Sequence, residues 1–240
     1  MTTQQASQKV AVITGGSQGI GASLVAAYRK LGWSVVATAR TMKPAEDPDV
    51  LTIDGDIADP ATADRIIGGA LRRFGRIDTL INNAGVYLSK PFTDYTAEDY
   101  AQVVGVNLGG FFWLTQRAIA EMATRYGGHV AAVLAALGEV ADPGTPAVLA
   151  ALTNGGLAAA TRSLAVECDL YGIRVNAVSP GIIQIPVYSP ASHDDHGDRL
   201  PPLGRPGRVS DVVDGILFLE SLSYITGEIL RVDGGQIAGP

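Results

Sequence analysis

The chain has 240 residues, 47% of them hydrophobic and 18% charged, with a formal net charge of −6. That length suits one α/β domain spanning 1–240 with a substantial core, and low charge beside ample apolar content excludes a disordered chain. An acidic balance, with a pI of about 5.0, argues against a phosphate-backbone binder, which needs a basic face, so no nucleic-acid partner is expected.

In chain order, Lys9-Val10-Ala11-Val12-Ile13-Thr14 is a short β-branched run, ended by Gly15-Gly16-Ser17-Gln18-Gly19-Ile20-Gly21 and followed by an Ala- and Leu-rich helical pattern. Further strands are predicted at Ser34 to Ala39, Leu51 to Ile53, Arg76 to Ile81, His129 to Leu134, Ile173 to Val178 and Glu228 to Val232. Helices are predicted at Pro60 to Phe74, Ala97 to Arg125, Val148 to Asp169 and Ser210 to Glu220. Apolar strands alternating with helices predict an α/β fold of the Rossmann type, a doubly wound parallel sheet with helices on both faces. The stretch Gln184 to Arg208, rich in Pro, Asp, His and Gly, reads as a substrate lid beyond the carboxyl end of a strand.

The single cysteine, Cys168, excludes an intrachain disulfide and a cysteine-based zinc site, and no metal is expected. Met1 to Gln8 lacks an apolar signal core, and no uncharged apolar run is long enough to span a bilayer. A cytoplasmic protein without a membrane partner is the expectation.

The spacing Gly15-x-x-x-Gly19-x-Gly21, between a strand and a helix, permits a tight turn whose free amides hold a pyrophosphate. Thr14 to Gly21 resembles the nucleotide-binding signature of the short-chain dehydrogenase/reductase family. The resemblance continues in Asp56-Ile57, Asn82-Asn83-Ala84-Gly85, Val106-Asn107, Arg174 to Gly181, and Ile225-Thr226-Gly227-Glu228 through Val232-Asp233-Gly234-Gly235. It implies a dinucleotide held by Gly15, Ser17, Gln18, Gly19, Ile20, Gly21, Asp56, Ile57, Asn83, Ala84, Gly85, Pro180, Gly181 and Ile183. At the end of the second strand, Arg40-Thr41 stands where an acid would bind a ribose 2′-hydroxyl, so NADP(H) is favoured over NAD(H).

The same resemblance implies a serine after the fifth strand and a tyrosine and lysine at i and i+4 on the next helix. Here Ala135, Ala150 and Asn154 occupy those places, and of the usual four Asn107 remains. No serine or threonine lies between Val133 and Asp142, no tyrosine between Pro143 and Leu157, and no lysine follows Lys90. Ile185 stands where the family often has a threonine for the nicotinamide amide. Asn154 keeps an uncharged donor for ribose. Tyr188 and Glu139 lead the replacement candidates, ahead of Asp142, His193, Asp194, Asp195 and His196.

Two functions stay open at this point. One is an atypical NADPH-dependent reductase of an activated carbonyl, imine or alkene, whose transition state needs little external acid. The other is a non-redox protein reusing the pocket, either as an NADP(H)-binding partner or for cyclisation, isomerisation or elimination. A homodimer or homotetramer is expected through the helices around Asn107 and Gly155-Gly156, whose counterparts pair across a two-fold axis in the family.

Overall fold

The computed structural model describes residues 8–139, 144–185 and 200–239. In chain order its main elements are β1 (Val10–Thr14), α1 (Gly19–Lys30), β2 (Ser34–Ala39), β3 (Val50–Asp54), α2 (Pro60–Phe74), β4 (Thr79–Asn82), α3 (Ala97–Val104), α4 (Gly110–Ala123), β5 (Gly128–Val133), α5 (Val148–Glu167), β6 (Ile173–Pro180), β7 (Ile183–Gln184), β8 (Gly207–Arg208), α6 (Val209–Ser221) and β9 (Ile229–Val232). Seven of the described strands form one parallel sheet in the order β3-β2-β1-β4-β5-β6-β9.

Alternation along the strands sorts the core into two layers. Val10 and Val12 of β1 face α2 and α4, against Ile66, Leu114 and Ala118. Ala11 and Ile13 face the other way, against Leu24 and Tyr28 of α1 and Val212 and Ile216 of α6. Local signals set the helix ends. Asp59 accepts from Ala61 N at the start of α2, and Gly75, at φ +76°, ends it. Thr96 and Asp99 close a capping box on α3.

Three departures from the sequence expectation bear on the site and the sheet edge. The strand expected from Arg76 starts at Thr79, and just before it the Asp78 carboxylate accepts from Val10 N (2.8 Å) and Arg76 Nε (2.8 Å). The single helix expected over Ala97 to Arg125 is two helices joined by a π-turn at Gly105–Gly109, and Tyr126, at φ +53°, lies beyond its end. The close approach there is set by Gly110, where a Cβ would lie 2.4 Å from Ile57 Cδ1. Finally, the irregular stretch from Gln184 has both ends tied, since β7 and β8 pair in parallel with Ile183 opposite Gly207.

At the amino edge of the sheet, away from the glycine turn, Glu220 Oε2 accepts from Tyr28 Oη (3.0 Å) and Thr79 Oγ1 (2.9 Å) and lies 2.9 Å from His129 Nδ1. Asn176 Oδ1 accepts from Glu228 N, which turns its Nδ2 toward Ile225 O (3.0 Å) and His129 Nε2 (3.2 Å). His129 is therefore neutral, donating from Nδ1 and accepting at Nε2. Burial pushes it below the usual histidine range and outweighs the carboxylate of Glu220.

Candidate functional site

The strand order reverses between β1 and β4, which opens a crevice at the carboxyl edge of the sheet. Thr14 closes β1 there, and its buried Oγ1 accepts from Asn83 N and Ala84 N, both at 2.9 Å. Asn83 Nδ2 donates back to Thr14 O at 2.9 Å. The segment after β4 is thereby locked onto the turn after β1. Gly15 and Gly19 adopt φ of +67° and +55°, and a Cβ on Gly21 would lie 2.0 Å from Gly15 O. The first turn of α1 has no side-chain cap and no acidic residue, and Ser17 and Gln18 are exposed. Its amides lack intrahelical partners and sit at the positive end of the helix dipole, a cradle that fits a diphosphate.

Beyond β2, Arg40 and Thr41 are exposed, and Arg40 has no hydrogen bond or ion pair with a described residue. Nearby acids have other work: Asp54 Oδ1 accepts from Met42 N (2.8 Å) and Asp56 Oδ1 from Ala58 N (3.0 Å). Asp56 stays exposed, whereas the Ile57 side chain is buried in the core against Gly110. Of that pair, Asp56 alone offers a side chain to a ligand.

Asn107 sits on the π-turn. Its Oδ1 accepts from Val86 N (2.8 Å), and its Nδ2 donates to Val86 O (3.0 Å) and Thr153 Oγ1 (3.2 Å). Both amide hydrogens are thus taken, so the Asn107 side chain ties Val86 to Thr153. Thr153 was not singled out by the sequence. It is fully buried and in turn donates to Leu149 O (2.9 Å), so it links the segment after β4 to the first turns of α5.

Ala150 is buried on α5, and Asn154 Nδ2 folds back to donate to Ala150 O (2.8 Å). The loop after β5 presses on the same spot, since a Cβ on Gly138 would lie 2.6 Å from Asn154 Cβ. Ala135 precedes that loop's short 3₁₀ turn and accepts from Gly138 N through its carbonyl. Glu139 does not stand as an unpaired acid: its Oε2 accepts from Arg231 NH2 (2.6 Å) and Nε (3.0 Å). Arg231 lies 92 positions away, and no sequence spacing signals that pair. Tyr188, His193, Asp194, Asp195, His196 and Asp142 lie outside the described residues.

Across the crevice, Pro180 ends β6 and Gly181 N donates to Val232 O (3.1 Å). Gly181 permits contact with the β9 turn, where a Cβ would meet Asp233 Cα at 2.8 Å. Ile183 packs its side chain on the α1/α6 layer, and its backbone pairs with Gly207 of β8. Ile185 covers the glycine turn, with Cγ2 at 3.4 Å from a Cβ built on Gly19. Among the described residues no cluster of His, Cys, Asp and Glu could hold a metal ion, and no helix is long and apolar enough to cross a membrane.

Residues 15–236 match a family model described as enoyl-(acyl carrier protein) reductase. The chain is 32% identical to 3-oxoacyl-(acyl-carrier-protein) reductase FabG of Thermotoga maritima, over 95% of this chain and 98% of that one. Among solved structures, a short-chain dehydrogenase of Leptospira borgpetersenii with bound NAD+ superposes with a TM-score of 0.87 at 32% identity, over 96% and 93% of the two chains. ElxO with NADP bound superposes equally well, with a TM-score of 0.87 at 27% identity over 97% of this chain and 100% of that one, and a tyrosine-to-phenylalanine variant of ElxO carries NADPH.

Proposed function

The chain belongs to the short-chain dehydrogenase/reductase family of oxidoreductases, and from that premise we propose that it is an NADPH-dependent reductase of small activated acceptors that works without a helix tyrosine and lysine. The observation that carries the reading is the pair Ala150 and Asn154: a buried methyl group and an amide folded onto its own helix, where the family resemblance implies a phenol and an ammonium group. The uncapped α1 terminus would hold the diphosphate, the exposed Arg40 would fork onto the 2′-phosphate, and the exposed Asp56 would stand at the adenine. Ala84, Gly85 and Gly181 would line the nicotinamide half with backbone. When bound, NADPH supplies the hydride.

Without a charged lysine no group on that face of α5 lowers the pKa of a proton donor, and a lost general acid removes about 10²–10⁴-fold in rate. The acceptors that remain are those already polarised: an iminium ion, a conjugated alkene, or a carbonyl hydrogen-bonded within its own molecule. Relatives named as bound to NADP(H) and to NAD+ both exist, and Arg40 tips the reading toward NADPH. Self-association follows α4 and α5, where Leu108, Phe111, Phe112, Trp113, Leu157 and Ala160 line a shallow apolar cleft of about 310 Å³ and Phe112 is 53% exposed.

A second reading, a non-redox NADP(H)-binding protein, draws on the same Asn154 contact, because that amide is satisfied without a ligand. Titration with NADPH followed by incubation with 2-cyclohexen-1-one and a cyclic iminium salt separates the two. Binding with consumption of NADPH supports the reductase; binding with no consumption by either acceptor favours the non-redox reading.

A further inference from the structure

The reductase reading leaves a substrate oxygen without a partner on α5, and the wall opposite supplies one. The segment that leaves β4 runs beside the start of α5 and is tied to it at two places. At one end Asn107 Nδ2 bridges Val86 O (3.0 Å) and Thr153 Oγ1 (3.2 Å), and that hydroxyl lies 3.3 Å from Ala150 O. At the other end Lys90 N (3.1 Å) and Ser89 Oγ (2.9 Å) both donate to Pro146 O, just before the helix begins. Tyr95 Oη adds a third fixing point by donating to Leu88 O (2.8 Å).

Tyr87 lies between these ties, one residue beyond the Asn83-Ala84-Gly85-Val86 run that leaves β4 at the crevice. It is 53% exposed, and no described residue bonds its hydroxyl. The hydroxyls that hold this segment in place are engaged: Thr14 with Asn83 and Ala84, Thr153 with Asn107 and Leu149, Ser89 with Pro146, and Tyr95 with Leu88. A phenol on a segment held at Val86 and at Ser89 stands beside the start of α5 at little entropic cost, because its backbone is already fixed.

We propose that Tyr87 is the substrate's hydrogen-bond donor and proton source, replacing from the β4 wall the acid that α5 does not carry; this rests on the reductase reading. The substrates it serves are acceptors with a carbonyl oxygen, conjugated enones above all. The substrate gains two electrons as a C–H bond forms with hydride from NADPH, which is oxidised to NADP+. The Tyr87 O–H bond breaks as an O–H bond forms on the substrate oxygen, and water returns a proton to the phenolate.

The test uses protein saturated with NADP+, in which no hydride is available, and carbonyl-¹³C-labelled 2-cyclohexen-1-one as the probe. In the unmodified protein the bound C=O stretch moves to lower wavenumber than in buffer, and Tyr87→Phe abolishes that shift with the melting temperature kept. The variant also binds the enone about tenfold more weakly, the worth of one net hydrogen bond, and reduces it about 10²-fold more slowly when NADPH is supplied. A shift retained in Tyr87→Phe, or no shifted carbonyl in the unmodified protein, overturns the assignment. A shift lost in Tyr87→Phe without any turnover of the enone or of a cyclic iminium salt by the unmodified protein supports the Tyr87 contact and refutes the reductase reading instead.

Discussion

Replacing Arg40 with alanine removes an exposed guanidinium that bonds no described residue, so the fold loses little, within about 0.5 kcal/mol. Its effect falls on the 2′-phosphate. A hydrogen bond to a charged group contributes about 1.5–3 kcal/mol in protected surroundings, and exposure with salt screening brings this to the lower end. About 1.4 kcal/mol corresponds to a tenfold change in Kd. Isothermal titration calorimetry at about 0.15 M salt is expected to show NADPH binding about tenfold more weakly to Arg40→Ala, with NADH changed less than twofold. The neighbouring acids leave room for this contrast, because Asp54 is occupied by Met42 N. Raising the salt concentration weakens NADPH for the unmodified protein more than for the variant, since only the former holds the extra ion contact. Equal losses for NADPH and NADH would refute the reasoning.

Asn107→Ala strips partners from Val86 N, Val86 O and Thr153 Oγ1, and is expected to cost about 2–3 kcal/mol, lowering Tm by several degrees; an unchanged Tm would show that the clamp does not stabilise the fold. The buried His129 makes the fold sensitive to acid. Its folded pKa is depressed, so the unfolded chain takes up a proton near its ordinary value of about 6.5 while the folded chain does not. Stability is therefore full above about 6.5 and falls as pH drops below it, and protonation at Nε2 would set N–H against Asn176 Nδ2. Thermal melts from pH 8 to pH 5 should slope downward toward acid, and His129→Asn should flatten that slope; an unchanged slope removes His129 as the cause. Analytical ultracentrifugation at micromolar concentration should show a dimer or tetramer, and Phe112→Glu on the apolar cleft should shift it toward monomer.

Much of the frame is legible because it is local. The strand, glycine turn and helix from Val10 to Lys30 are contiguous, and the residue types required there by a tight turn and an open helix terminus stand in order. Asp59 before Pro60 and Gly75 after Phe74 mark α2 for the same reason. What was not legible depends on contacts between distant positions. Nothing near Glu139 points to Arg231, and nothing near Asn107 points to Thr153, 46 positions on. The helix predicted through Gly105 to Gly109 breaks where Asn107 reaches Val86, a tertiary demand that overrides a continuous helical pattern. Tyr87 was passed over because its setting is defined by ties to Pro146 and Thr153 rather than by any spacing of its own.

The central claim, a reductase that acts without an acid on α5, is tested most directly by steady-state reduction of a cyclic iminium salt and of cyclohexanone by the unmodified protein under saturating NADPH. The account predicts turnover of the iminium salt and a much lower rate for the ketone, whose carbonyl carries neither a positive charge, a conjugated alkene nor an internal hydrogen bond. Comparable rates for the two, or faster reduction of the ketone, would contradict it.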